Sequence, residues 1–362
     1  MIKKFSEILK IINGKNQKKV ESEHGKYPIY GSGGVMGRAD ESLCPRDTVV
    51  IGRKGNINNP LFVEEPFWNV DTAFGLVADQ EQLMPKYLYY FCKNFNFQSL
   101  STTVTIPSLT KANLLNIQLS LPTMDIQKVV VNKLDKISIL VDQYRGLLGL
   151  YDSIVKSRFI EMFGDTNNSM EWPIANVESI AKVKVGLVIK PTRFYSSSPT
   201  RYKAIRGLNI SPFCINDTNW VYFTEDGAKS NKKTEVKEND VVVVRSGAPG
   251  TAAVVTKEYA GSNAIDVLIV EPDLTQIDPT YLCAYTNFPH GLKQISKGSG
   301  GAAQKHFNVE KYKNLTIFIP PLEKQKLFSI EKKEIDKSKL AIQKSIDELE
   351  TLKKKLMQEY FG

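Results

Sequence analysis

Apolar residues along this chain keep two rhythms that alternate. From Met124 to Phe163 there is no proline, and apolar side chains return about every 3.5 residues. Ile137, Leu140, Tyr144, Leu147, Tyr151 and Ile154 form a heptad seam flanked by Val141, Leu148 and Val155. Near the other end Ile335, Ile342, Leu349 and Leu356 stand seven residues apart, supported by Ile346 and Leu352, in a segment otherwise rich in Lys, Glu, Asp, Gln and Ser. A helix with one apolar stripe and a charged remainder needs a partner, and two such helices in one chain supply one another. About 39 residues at the helical rise make rods of roughly 58 Å. Gly146 and Gly149 interrupt the first helix. Each costs about 1 kcal/mol relative to Ala, and the pair marks either a close helix approach or a bend.

Before each helix the pattern is that of buried strands. Asp47 to Gly55 and Asp240 to Gly247 are β-branched runs that end in a basic, glycine-containing turn. Further strands are predicted at Ala73–Ala78, Ile117–Leu121, Asn219–Phe223, Ala252–Thr256, Val267–Val270 and Leu315–Ile319. Short aromatic helices are predicted at Pro85–Asn94 and Pro279–Phe288, each with proline in the first turn.

The chain also repeats itself. At an offset of 198, Pro122 falls on Pro320, Gln127-Lys128 on Gln325-Lys326, Ile137 on Ile335, and Phe163-Gly164 on Phe361-Gly362. Near the start of each unit the offset is 172: Ile8 falls on Ile180, Lys10-Ile11 on Lys182-Val183, and Gly14 on Gly186. The second unit therefore carries about 26 extra residues in its middle. Matching ends with differing middles predict two mixed α/β domains separated by two long antiparallel coiled-coil helices, with a pseudo-twofold internal repeat. The predicted divisions are a first domain at 1–120, a helix at 121–164, a second domain at 165–318 and a helix at 319–362. Two domains inverted about one axis suit the local dyads of DNA and a two-part site.

Composition narrows the class. With 48 Lys and Arg against 39 Asp and Glu, the chain carries +9, which favours a polyanionic partner. Cys44, Cys92, Cys214 and Cys283 form no CxxC pair, which argues against a zinc site or disulfide framework. His24, His290 and His306 stand apart from any carboxylate or cysteine pattern. No apolar run reaches the ~18 residues of a membrane span, and the N-terminus lacks a signal-peptide pattern, so a cytoplasmic protein without a membrane role is expected.

Several blocks resemble the specificity subunits of type I restriction–modification systems, over essentially the whole chain. Tyr27 to Gly34, Val49 to Gly55 and Phe67 to Ala73 resemble the first target-recognition domain of that family. Leu121 to Lys128 and Ile319 to Lys326 resemble the start of its conserved helical regions; Arg158 to Asp165 and Met357 to Gly362 resemble their ends. Gly146 and Gly149 depart from the family, which usually has helix formers there. The resemblance implies a non-catalytic subunit that recognises a bipartite, asymmetric site on double-stranded DNA. It further implies two copies of a DNA adenine methyltransferase subunit and ATP-using restriction/translocase subunits as partners. No cofactor is expected on this chain; S-adenosylmethionine, ATP and Mg²⁺ belong to those partners.

Candidate DNA contacts follow from residue type. Arg53 and Lys54, and Arg245 with Ser246, sit where a strand runs into a flexible turn, and Arg can read guanine while Lys contacts phosphate. Tyr30 and Ser32 belong to a glycine-rich turn, Gly31 to Gly34, that lacks the Lys-Ser/Thr of a P-loop. Thr103, Thr105 and Ser108 precede the last strand of the first domain, and Lys297, Ser299, Gln304 and Lys305 precede that of the second. Arg206 closes a run in which Arg193, Tyr195, Arg201 and Tyr202 alternate basic and aromatic character, a pattern that suits a phosphate-facing surface but in which a structural role for the tyrosines is the more common outcome.

No methyltransferase Asn/Asp-Pro-Pro-Tyr/Phe motif and no Gly-x-Ser-x-Gly elbow is present. Asp217 or Asp226 with Glu235 and Lys237 loosely imitates a nuclease set, a spacing that charged loops produce easily. The competing readings are a stand-alone bipartite DNA-binding regulator, a nuclease using Glu235 and Lys237, and a coiled-coil scaffold without a DNA role.

Overall fold

The computed structural model describes residues 1–100, 108–298 and 307–362, the side chains of residues 297 and 298 excepted. It divides into two compact units: residues 1–147 with 342–362, and residues 148–341. Each unit thus holds one α/β domain and one half of each long helix, Met124–Phe163 and Leu322–Phe361.

In the first unit a four-stranded antiparallel sheet runs in the order Leu9–Asn13, Ala73–Ala78, Thr48–Gly52, Leu61–Val63. The central strands are buried on both faces, which is why Thr48–Gly52 reads as a continuous apolar run without alternation. A second sheet orders Gly34–Ala39, Tyr27–Gly31 and Trp68–Asn69, the last pair parallel. Ile2–Lys4 pairs with Gln118–Ser120.

The second unit repeats this topology. Its sheet runs Ala181–Val185, Val267–Pro272, Val241–Val244, Ala252–Val254, and its smaller sheet Val221–Tyr222, Lys203–Ile205, Asn263–Ala264, again with the last pair parallel. Ile174–Asn176 pairs with Thr316–Phe318. The additional hairpin Ile210–Ser211 with Cys214–Ile215 lies in the stretch where the sequence offset drifts.

Helices Pro85–Asn94 and Pro279–Asn287 start on their prolines, whose missing N–H is one that a first turn leaves unpaired anyway. The repeated glutamines explain part of the duplication. Gln127 is fully buried; its Oε1 accepts the Met84 N–H at 2.9 Å, and its Nε2 donates to Gln82 O and Pro122 O at 2.8 and 3.0 Å. Gln325, also fully buried, accepts the Asp278 N–H at 2.8 Å and donates to Pro320 O at 2.8 Å and Gln276 O at 3.3 Å. Each glutamine fastens the first turn of a long helix to the chain just before a short helix.

Within each unit the long helices run antiparallel. In the first, Ser138 accepts from Lys353 at 2.7 Å, Arg145 meets Glu350 at 2.6 Å, and Lys133 reaches Tyr360 at 3.2 Å. In the second, Asp152 meets Lys339 at 2.5 Å, and Arg158 clamps Glu331 through Nε and Nη2 at 2.7 and 2.8 Å. Bidentate geometry of this kind is the stronger form of ion pair.

Ile137, Tyr144 and Tyr151 of the expected seam are buried or half-buried, but its other three positions are shifted by a single residue. Val141 and Val155 are buried and Leu148 half-buried, in line with buried Leu134 and Met162, whereas Leu140, Leu147 and Ile154 are exposed. Two adjacent stripes of the first helix are equally apolar, and only the position of the partner helix selects between them. Leu352 of the second helix, expected to support the seam, is likewise exposed, while Ile346 is buried. At Gly146 and Gly149 an added Cβ would meet nothing within 4 Å, so neither marks a close approach, and the helix runs unbroken through both.

Candidate nucleic-acid interface

Strand Thr48–Gly52 carries its chain out of the first core and delivers Arg53 and Lys54 to the surface. The Arg53 N–H donates to Thr72 O at 2.7 Å, and the Arg53 carbonyl accepts the Leu109 N–H at 2.9 Å. The backbone is therefore pinned on both sides while the guanidinium stays exposed, 5.9 Å from the centre of the Phe74 ring. Lys54 forms an isolated β-bridge with Ser108. The glycine turn lies against the same strand end: a Cβ at Gly52 would stand 2.9 Å from the Ser32 Cβ and 2.3 Å from Asn56 O. Only glycine fits there, which accounts for the break in the β-branched run. Ser32, Arg53, Lys54 and Ser108 thus gather at one end of the sheet. Tyr30 turns away from them: its ring meets Phe67 edge-on at 5.3 Å, and burial, with help from Glu65, raises its hydroxyl pKa.

The second unit repeats the backbone arrangement with different side-chain commitments. The Arg245 carbonyl accepts the Phe307 N–H at 3.0 Å, as Arg53 does for Leu109. However, the Arg245 side chain is only 16% exposed and its Nη1 binds Asp266 Oδ1 at 3.0 Å. It braces the turn from within. Ser246 and Arg206 instead share a surface concavity of about 470 Å³ with Gly207, Leu208, Ile265 and Asp266. Arg206 donates through Nη2 to Asn219 O, and its Nε is buried without a partner. Gly247 adopts φ +84°, the left-handed turn that glycine permits.

Thr103, Thr105, Ser299, Gln304 and Lys305, and the side chain of Lys297, lie outside the described residues. In the basic–aromatic run the aromatic rings are occupied internally. Arg201 lies 4.8 Å over the Tyr202 ring, Arg193 4.4 Å over Phe194, and Tyr195 stacks on Phe223 at 6.0 Å. Asp217 of the loose nuclease pattern is held by Lys203 at 2.7 Å and by the Trp220 indole at 2.5 Å. Among the described residues no group of three or more His, Cys, Asp or Glu could hold a metal ion, and no helix is long and apolar enough to cross a membrane.

Sequence reasoning missed Asp266, which commits Arg245, and the exposed aliphatic residues Val188, Ile189 and Leu208. The second group was legible as apolar residues in a turn-rich stretch, but their exposure was not.

Two domains of one design, each presenting a pinned turn at the end of a buried strand, make an internally duplicated protein on a basic chain. The type I restriction modification DNA specificity domain family matches residues 1–144 and 172–355. A putative type I restriction enzyme specificity subunit of Haemophilus influenzae is 21% identical over 337 residues, covering 89% of this chain and 84% of the relative. The specificity subunit of the Escherichia coli EcoBI type I restriction enzyme is 19% identical over 309 residues, covering 78% of this chain and 65% of the relative. The crystal structure of a type I restriction–modification S subunit from M. genitalium shares the fold with a TM-score of 0.63 at 13% identity, covering 100% of this chain and 96% of that one. The chain belongs to the type I restriction–modification specificity-subunit family, and its role is that of a non-catalytic, DNA-binding specificity subunit.

Proposed function

We propose that this chain reads a bipartite, asymmetric DNA target, one half-site per recognition domain, with residues 1–120 and 165–318 as those domains. The observation that carries the reading is the conserved backbone of the two turns, Arg53 bonded to Leu109 and Arg245 to Phe307, beneath unlike exposed side chains. One scaffold presented twice with different surfaces is what two different half-sites require. Arg53, Lys54, Ser32, Ser108, Thr103 and Thr105 are the proposed contacts of the first domain. Arg206, Ser246 and the segment 297–305 serve the second, with Arg245 positioning its turn.

The chain further holds two copies of an adenine methyltransferase subunit, which carry S-adenosylmethionine, and through them the restriction subunits that use ATP and Mg²⁺. Support comes from exposed apolar positions that the repeat duplicates. Val129 and Leu327 correspond at the offset of 198, as do Ile154 and Leu352, and all four are about half exposed. Of these duplicated positions, Val129 and Leu352 belong to the first unit, and Leu327 and Ile154 to the second. Together with Leu140 and Leu147 of the first unit and Leu150 and Leu340 of the second, also exposed on the long helices, they suit a protein partner.

The test is co-expression with a methyltransferase subunit in a methylation-free host, followed by mapping of N6-methyladenine by single-molecule sequencing. A two-part motif with a fixed unspecified spacer, absent when this chain is omitted, is the expected result. A stable complex with an active partner but no new methylation would overturn the reading.

A further inference from the structure

The two domains differ in the chemistry of the rim around their turns. In the first unit the Lys15 N–H donates to Asn69 O and the Val70 N–H to Tyr30 O, at 2.8 and 3.0 Å. In the second, the Leu187 N–H donates to Ala264 O and the Ile265 N–H to Ile205 O, both at 2.8 Å. These bonds put Lys15 and Tyr30 in register with Leu187 and Ile205. Counting onward, Asn16 and Gln17 correspond to Val188 and Ile189, and Gly33 corresponds to Leu208. Three polar or side-chain-free positions of the first rim are thus aliphatic in the second. None of the three is buried: Leu208 is 76% and Ile189 73% exposed, and Val188 about half.

We propose that the second recognition domain reads thymine methyl groups in the major groove through Leu208, assisted by Val188 and Ile189. The proposal rests on the DNA-reading function above and names the base chemistry it uses. Leu208 borders the concavity that holds Arg206 and Ser246, and the Leu187 and Ile205 segments flank Ile265 on either side. Leu208 is therefore continuous with the candidate DNA contacts, and Val188 and Ile189 directly follow Leu187, which bridges to Ile265 of the same concavity. Lys190, next to Ile189, and Arg206, two residues from Leu208, supply positive charge along the same edge. Thymine is the base that presents a methyl group in the major groove, with its O4 acceptor alongside. An aliphatic side chain takes the methyl, while a neighbouring Arg or Ser donates to O4 or to phosphate. In the first domain Asn16, Gln17 and Gly33 offer no aliphatic side chain at these three positions, and its exposed apolar residues, Val35 and Met36, stand instead on the strand that follows the glycine turn.

The experiment uses the full chain in complex with its methyltransferase subunit, on duplexes carrying the motif found by methylation mapping. Each thymine is replaced in turn by deoxyuridine, which removes only the methyl, and affinity is read by fluorescence anisotropy. At least one thymine of a single half-site should lose about fourfold in affinity, the worth of one buried methyl. In the Leu208→Ala complex, thymine and deoxyuridine should bind alike at that position, with the other half-site unaffected. Leu208 is exposed, so the variant should fold; Ile189→Ala is the second probe. No thymine whose methyl matters, or discrimination that survives both substitutions, would overturn the proposal. So would a Leu208→Ala chain that binds DNA normally but loses the methyltransferase subunit, since the rim would then be a protein contact. Failure of the wild-type complex to bind any bipartite duplex would instead count against the function it rests on.

Discussion

The ring of Phe361 meets the ring of Tyr87 edge-on, with centroids 4.9 Å apart. Phe361 ends the second long helix, yet it packs on a helix of the first domain, and both belong to the first unit. Its repeat partner Phe163 ends the first long helix and meets Tyr281 of the second domain at 4.7 Å. Each domain is therefore anchored by the glutamine that starts one long helix and the phenylalanine that ends the other.

Truncating the phenylalanines should separate the units' stabilities. Phe163 is fully buried, so Phe163→Ala should cost about 3–5 kcal/mol, and half-buried Phe361 should cost less. Hydrogen exchange should show the loss of protection centred on the second unit for Phe163→Ala and on the first for Phe361→Ala. Equal loss across both units in each variant would argue against this anchoring.

The glutamines permit a sharper substitution. Gln325→Leu keeps much of the volume but leaves the Asp278 N–H and the Pro320 carbonyl without their side-chain partner. A cost of about 2 kcal/mol or more is expected in urea unfolding, with Gln127→Leu behaving alike. A neutral result would mean that water replaces the amide.

Open space around Gly146 and Gly149 predicts that alanine is welcome at both. Gly146→Ala and Gly149→Ala should each stabilise the chain by up to ~1 kcal/mol, seen as a higher midpoint of thermal unfolding. Destabilisation by either would show that the glycine serves a bend.

The two arginines should separate by assay. Arg53→Ala should leave thermal stability nearly unchanged and weaken DNA binding by about 1–3 kcal/mol. Arg245→Ala should lower stability, because Asp266 loses its partner, and affect binding only through the turn. Melting curves and anisotropy on the same preparations decide this.

Acid should loosen the second unit in two stages. His290 is buried among Phe159, Tyr285 and Phe318 with Nε2 3.2 Å from Gly164 O, and burial depresses its pKa below the ordinary imidazole value. Its unfolded form takes up a proton near pH 6.5 while the folded form resists, so stability falls as pH drops from about 6.5 through the folded pKa. His290→Phe should flatten that slope. Glu331, lowered mainly by its bond to Arg158, contributes stability above the usual carboxylate range and loses it as pH falls through the depressed pKa. Unfolding free energy measured from pH 7.5 to 3.5 should show both declines.

The sequence by itself determined the duplication, the two long helices, the short helices begun by Pro85 and Pro279, and the strands that end at Arg53 and Arg245. These are local or repeated signals: a 3.5-residue period, a β-branched run, a constant offset, a proline where no N–H is needed. Gln127 and Gln325 matched at the repeat offset, and their equivalent hydrogen bonds came only with the structure. Tertiary structure decided what local pattern leaves degenerate. Leu140, Leu147 and Ile154 are as apolar as Val141, Leu148 and Val155, and the partner helix covers only the second set. Arg245 and Arg53 look alike until Asp266, 21 residues further along, claims one of them. Leu208, in the single turn Gly207–Asn209 that follows strand Lys203–Ile205, is 76% exposed, which its apolar side chain alone would not have foretold.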